Sequence, residues 1–277
     1  MALPQPSQRR RHTFIWLGSA ASCALLTPLP IVAQGSSGEI SIVAATDLQF
    51  VLPELVQLYN ASGVKIMLRF GASGTLATQI MRGLSCDMFL SADAAQVEKV
   101  QLAGLAASEP FMYAQGHIAL ASLHSNTIAL DDRLIGAKAH FERELAVGKQ
   151  PKIAIANPMH APYGLAAQQA LETLGLWGFF KPHLVLGENV AQATQFIASG
   201  SAVIGIVGVA LCKAPALSKT LQCKELAQSL HKPLRQTVVL VKNPQNKSDE
   251  ASKFLLFLKS EKAKALLSQH GFSTSAP

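Results

Sequence analysis

Lys152-Ile153-Ala154-Ile155-Ala156, followed by Asn157-Pro158-Met159-His160-Ala161-Pro162-Tyr163-Gly164, is the stretch that decides how this chain folds. The first five residues are a short apolar run, and an alanine-rich pattern at helical spacing begins where the stretch ends. The segment between them is therefore a strand-to-helix connection. In an open α/β sheet such connections lie at the carboxyl ends of strands, where ligands collect. Pro162 fixes its own φ, and both prolines bias the residue before them toward extended backbone, so the loop is expected to be stiff. By itself the loop reads equally well as ordinary proline punctuation. The rest of the chain separates the two readings.

The same strand, turn and helix pattern recurs on both sides of it. Ile40-Ser41-Ile42-Val43-Ala44-Ala45 reads as a buried strand, Thr46-Asp47 as an N-cap candidate, and Leu48, Leu52, Leu55, Val56 and Tyr59 as a helix face. Val64, Ile66, Leu68 and Phe70 alternate as a strand, and Gly71-Ala72-Ser73-Gly74 opens a helix through Leu76, Ile80 and Leu84. Asp87–Leu90 is a third strand, with a helix beginning at Ser91-Ala92-Asp93, and Ile118–Ala121 is a fourth. Past a polar region with a helix over 137–146 comes the opening loop and a helix from Leu165 to Leu174. Leu184–Leu186 and Val203–Val207 are strands, with a helix from Val190 to Ala198 between them. A late strand, Thr237–Val241, precedes helices starting near Asp249 and Glu261. Alternating strands and helices predict an α/β protein with mostly parallel sheets. The two clusters of such units, 39–116 and 150–207, with a late strand returning to the first, predict two lobes joined by crossing segments.

The first 33 residues stand outside that pattern. Arg9-Arg10-Arg11-His12 is a basic start, an apolar run from Phe14 to Leu29 follows, and small residues surround Ala33. This is the layout of a secretory signal peptide, and it is too short and proline-interrupted for a membrane span. The paired arginines loosely fit a twin-arginine signal, and Ala20-Ala21-Ser22-Cys23 loosely fits a lipoprotein cleavage site, so the export route stays open. Removing residues 1–33 leaves 21 Lys and Arg against 17 Asp and Glu, a formal +4. That excess draws anions but has no basic runs, which argues against a nucleic-acid partner. Of the three remaining cysteines, Cys86 reads as a buried thiol, and Cys212 and Cys223 are free to bridge only if the fold brings them together.

Four turns place hydrogen-bond donors at helix starts: Thr46-Asp47, Ala72-Ser73-Gly74, Tyr163-Gly164 and Asn189-Val190. Each offers backbone N–H groups without intrahelical acceptors, and Thr46, Ser73 and Tyr163 add hydroxyls. Helix N-termini converging on a cleft bind an anion without any formal positive charge. Catalytic readings are weaker. Gly71-Ala72-Ser73-Gly74 is not a Gly-x-Ser-x-Gly elbow, His160 has no carboxylate at a telling spacing, and the eight histidines form no metal-ligand cluster. No catalytic residue and no cofactor is expected.

Taken in order, these motifs resemble the periplasmic molybdate-binding proteins, the solute receptors of ABC importers. The similarity is carried by Val43–Leu48, Phe70–Gly74, Asp87–Asp93, Ala156-Asn157-Pro158, Ala161–Gly164, Leu186–Ala193, Gly200-Ser201-Ala202 and Gly271-Phe272. The resemblance implies a two-lobed, type II periplasmic binding-protein fold that holds a dehydrated oxyanion in a cleft between lobes. It divides the chain into residues 1–33 as signal peptide, 34–116 and 234–277 as lobe 1, and 117–233 as lobe 2. The hinges would fall near 115–118 and 233–237. It implies Thr46, Asp47, Ser73, Tyr163 and Val190 as the oxyanion contacts, with no metal ligand beyond the molybdenum of the anion itself. The ligand would be molybdate or tungstate, and the partner an inner-membrane ABC permease. The protein would be a periplasmic monomer, not an enzyme. A receptor mainly for tungstate or sulfate, and a secreted enzyme acting on an anionic substrate, are the other readings.

Two positions depart from the resemblance. One branch of the family has a tyrosine after the Gly-Ile-Val strand, whereas Gly205-Ile206-Val207 is followed here by Gly208. Tyr163 is expected to supply the missing donor through its hydroxyl, its amide or both. Asp47 stands where a neutral residue is common, and a carboxylate facing a dianion is unfavourable. Its side chain is therefore expected to turn away, capping the helix, with only its N–H inward.

Overall fold

Strand β1 (Glu39–Ala45) buries Ile40, Ile42 and Ala44 on one face and Val43 on the other. Burial on both faces is the condition of a central strand in an α/β sheet. In the computed structural model, which describes residues 39–59, 64–244 and 249–274, helices meet both faces. The segment 1–33, with Cys23, lies outside the described residues. The first face of β1 packs on α1 (Val51–Tyr59) and the second on α2 (Ser73–Met81) and α3 (Ala94–Leu102).

Lobe 1 holds β1, β2 (Lys65–Gly71), β3 (Met88–Ser91), β4 (Phe111–Gly116) and the late strand β10 (Leu234–Leu240), in the order β2-β1-β3-β10-β4. Lobe 2 repeats that plan with β5 (Ile118–Leu123), β6 (Ile153–Ala156), β7 (Leu184–Gly187), β8 (Ile204–Gly208) and β9 (Leu221–Glu225), in the order β7-β6-β8-β5-β9. Its helices are α4 (Ile135–Ala146), α5 (Pro162–Thr173), α6 (Trp177–Phe180), α7 (Val190–Ala198), α8 (Val209–Lys213) and α9 (Pro215–Ser218). Two final helices, α10 (Glu250–Leu258) and α11 (Glu261–Gln269), return to the core of lobe 1.

The two-lobed α/β architecture holds, with each sheet mixed. β1 runs parallel to β2 and β3, and β6 runs parallel to β7 and β8. β10 and β5 run antiparallel to both of their neighbours. The reversals arise where the chain changes lobes. Only His117 separates β4 from β5, and the return from β9 enters β10 at Leu234, which pairs with Gly116. The two crossings are thus held side by side by ladder hydrogen bonds.

Sequence periodicity missed β4 and β9. Phe111-Met112-Tyr113-Ala114-Gln115-Gly116 alternates poorly, and β9 is an edge strand whose last three residues are exposed. Helix α4 begins two residues earlier than its periodicity predicts, because the Asp131 carboxylate accepts the N–H groups of Arg133, Ile135 and Gly136. Leu134, buried at φ 57°, makes the turn into it.

Cys212 on α8 and Cys223 on β9 form a disulfide, with Cα atoms 6.3 Å apart. Cys86 is a free, buried thiol, and burial pushes its pKa up to about 12, where it is inert as a nucleophile. A short closed loop of this kind contributes about 2–3 kcal/mol to stability. Replacing both bridged cysteines by serine is expected to lower the melting temperature on the order of 5–10 °C. Unchanged melting of the double variant, measured by calorimetry, would show that the bridge restrains nothing in the unfolded chain.

Candidate functional site

The carboxyl ends of β1, β2, β6 and β7 each lead into a helical start, and the four starts meet. Ala45 is extended before the 3-10 turn Thr46–Leu48, Ala72 before α2, Ala161 before α5 and Asn189 before α7. Around their meeting point lies a small cavity lined by Ala45, Thr46, Asp47, Gly71, Ala72, Ser73, Ala92, Ala161, Pro162, Tyr163 and Val190. All five residues named from the sequence are on its wall. The space left between these residues is small, on the order of one water molecule.

At three of the four starts the preceding residue supplies no cap. Ala45, Ala72 and Ala161 have no side-chain oxygen, so none of them occupies the first N–H groups of the helix behind it. Pro162 occupies the first position of α5, where a missing N–H costs nothing. At α7 the Asn189 side chain accepts the Gln192 N–H at 3.0 Å, capping the helix and leaving Val190 at its tip. Ser73, 1% exposed, accepts the Ala92 N–H through its Oγ at 3.0 Å. That bond uses the oxygen as an acceptor and leaves the hydroxyl proton to donate.

Behind the cavity is a buried polar cluster. Gln236, on β10, donates from Nε2 to Asp47 Oδ2 at 2.6 Å and to the Tyr163 hydroxyl at 3.4 Å. Its Oε1 accepts from the Tyr113 hydroxyl at 3.0 Å. All four side chains are buried, and Asp47 Oδ1 makes no well-formed hydrogen bond. Burial pushes the Asp47 carboxyl up to about 6, against the opposing pull of Tyr163, Gln236 and the N–H groups of Asp47 and Leu48. Burial, aided by the Asp47 charge, holds both tyrosine hydroxyls well above their ordinary pKa, so both remain donors at neutral pH.

The Asp47 side chain is not the N-cap, although it draws on the N–H groups of Asp47 and Leu48 in the first turn. Ala45 occupies that position, and the carboxylate instead joins side chains from both lobes. Gln236 and Tyr113 were not legible as site residues. Their only signal is polarity at the crossing segments, beside Gly116 and the apolar run of β10.

Two glycines set how closely these parts approach. The Gly74 N–H donates to the His160 carbonyl at 2.9 Å, joining α2 in lobe 1 to the proline loop of lobe 2. A Cβ at Gly74 would lie 2.6 Å from that oxygen, so only glycine permits the contact. At Gly208 a Cβ would lie 3.1 Å from the Tyr163 ring. The Tyr163 ring thus fills the space beside Gly208.

The bacterial extracellular solute-binding protein family matches residues 40–273. The molybdate-binding protein ModA of Rhodobacter capsulatus is 30% identical, with 92% of this chain and 96% of that protein aligned. ModA of Escherichia coli is 27% identical over 93% of this chain and 98% of its own length. The structure of the Azotobacter vinelandii periplasmic molybdate-binding protein superposes with a TM-score of 0.74 at 29% identity, covering 86% of this chain and 99% of that one. The sulfate-binding protein SubI of Mycobacterium tuberculosis, at 16% identity and a TM-score of 0.64, shares the fold.

The raised Asp47 pKa carries a stability consequence with a definite sign. Between its ordinary value of 3.8 and about 6, the unfolded chain loses the proton before the folded one does. Folding stability therefore falls as pH rises through that window and stays lower above it. In anion-free buffer, Asp47→Asn is expected to stabilise the protein at pH 8 on the order of 2–3 kcal/mol, with the gain shrinking toward pH 4. Thermal melts across that range check it, and a gain that does not depend on pH would contradict a buried, strained carboxylate.

Proposed function

The chain belongs to the bacterial extracellular solute-binding protein family, and from that membership we propose that it captures molybdate, or the nearly isosteric tungstate, between its lobes for an ABC-type membrane permease. The observation that carries this reading is the convergence of four helical starts on one small cavity lined by hydroxyls and N-terminal backbone. Such a site offers several hydrogen bonds to a charged acceptor, at roughly 1.5–3 kcal/mol each, against the large cost of dehydrating a dianion. The ModA relatives support the choice of anion.

In this reading Thr46, Ser73 and Tyr163 donate hydroxyl protons to the oxyanion. The Asp47 and Val190 N–H groups complete the shell. Residues 34–116 and 234–277 form one lobe and 117–233 the other, closing about the paired crossings near 115–118 and 233–237. The Gly74–His160 contact is then a closing contact, made when the lobes meet over the ligand. The protein works in the periplasm as a monomer, without catalytic chemistry. Size sets specificity: sulfate is smaller and leaves donors unpaired, at about 1–3 kcal/mol for each buried one.

A thermal-shift series with molybdate, tungstate, sulfate and phosphate tests the reading. A rise in melting temperature with the two larger anions alone is the expected result, and no rise with either at saturation would sink it. Ser73→Ala and Thr46→Ala are each expected to weaken molybdate binding by roughly 1.5–3 kcal/mol without unfolding the anion-free protein. Tyr163→Phe separates that residue's hydroxyl from its amide. Wild-type affinity in all three variants would return these residues to ordinary packing.

A further inference from the structure

Asp47 lines the cavity, and its buried carboxylate brings a negative charge close to where an anion has to enter. Its Oδ2 is engaged by Gln236, while its Oδ1 is buried and without a well-formed hydrogen bond. The groups facing it are all neutral: Gln236 from β10, the Tyr163 hydroxyl from α5, and Tyr113 from β4 behind Gln236. Among the described residues no lysine, arginine or histidine forms an ion pair with it. Arg69 and Arg82, with Glu188, line one neighbouring cleft, and Lys232 and Arg235, with Asp93 and Glu98, another. A bound dianion and a carboxylate held only by neutral donors would thus meet in a buried space with no cation between them, where like charges repel far more strongly than in water.

We propose, as a deepening of the oxyanion reading and resting on it, that Asp47 shares a proton with the bound anion, so that each dianion enters together with one proton from solvent. The proton adds to Oδ1 of Asp47, and no other bond forms or breaks. The carboxylate becomes a carboxylic acid, and its O–H donates to an anion oxygen. Uptake has a second effect on the same wall. Tyr163 loses the charged acceptor beside it, and its hydroxyl proton becomes available to the ligand. The residue that looks incompatible with a dianion becomes a donor to it, and it sets affinity through pH.

The unliganded carboxyl titrates near 6, and an adjacent dianion raises it further. Proton uptake is therefore expected above pH 6, where the empty site is ionised and the filled site is not. Titration calorimetry with sodium molybdate at pH 8, in Tris and in HEPES, reads the uptake from the difference in heat between buffers. The expected result is about one proton taken up per molybdate, with affinity falling about tenfold per pH unit between pH 7 and 9. Asp47→Asn is expected to bind with no uptake and with a flat pH profile.

Binding by the wild type with equal heats in the two buffers overturns the proposal, whether or not the variant folds. Uptake retained in Asp47→Asn overturns it too, by placing the proton elsewhere. An absence of binding to molybdate and tungstate at millimolar concentration in the wild type overturns the oxyanion reading itself, and this inference with it.

Discussion

The backbone N–H groups at the start of a helix have no partner within it, and the centre of this molecule is organised by where four such starts point. Parallel strands deliver each of them to the same edge of its sheet. Two sheets of like topology then bring those edges face to face. Alanine at three of the four positions before the helices supplies no cap there, where serine or aspartate would have bonded the first N–H groups. A site made this way attracts an anion through dipoles fixed by the fold, with no salt bridge to break on release.

The crossings between lobes are held by a different device. β4 and β10 pair where the chain passes from one sheet to the other, and Gln236 sits on that ladder with its amide turned into the protein. From there it bonds Asp47 of the first lobe, touches Tyr163 of the second and receives Tyr113. A buried network of this size is stable only when its members are satisfied, and Asp47 Oδ1 is the exception. The unsatisfied atom lies on a residue that lines the cavity, so the cluster and the cavity are one electrostatic unit.

Close approach is controlled by small residues. The contact from Gly74 to the His160 carbonyl crosses the cleft, and the Tyr163 ring fills the space beside Gly208. A side chain at Gly208, the last residue of β8, would crowd the Tyr163 ring.

The local sequence determined the strand, turn and helix units around β1, β2, β6 and β7 by itself, because apolar periodicity and turn chemistry are short-range properties. It also marked the hydroxyls at the helix starts, and the order of its motifs carried the family resemblance. It did not reveal β4, β9 or the mixed direction of the sheets, which follow from the chain changing lobes. Nor did it show that Cys212 and Cys223 meet, or that Asp47 faces Gln236, 189 residues away in the chain. Those depend on contacts between distant segments, and only the packed structure sets the burial that shifts the Asp47 carboxyl. The sequence supplied an aspartate in an awkward place, and the tertiary structure decided what surrounds it.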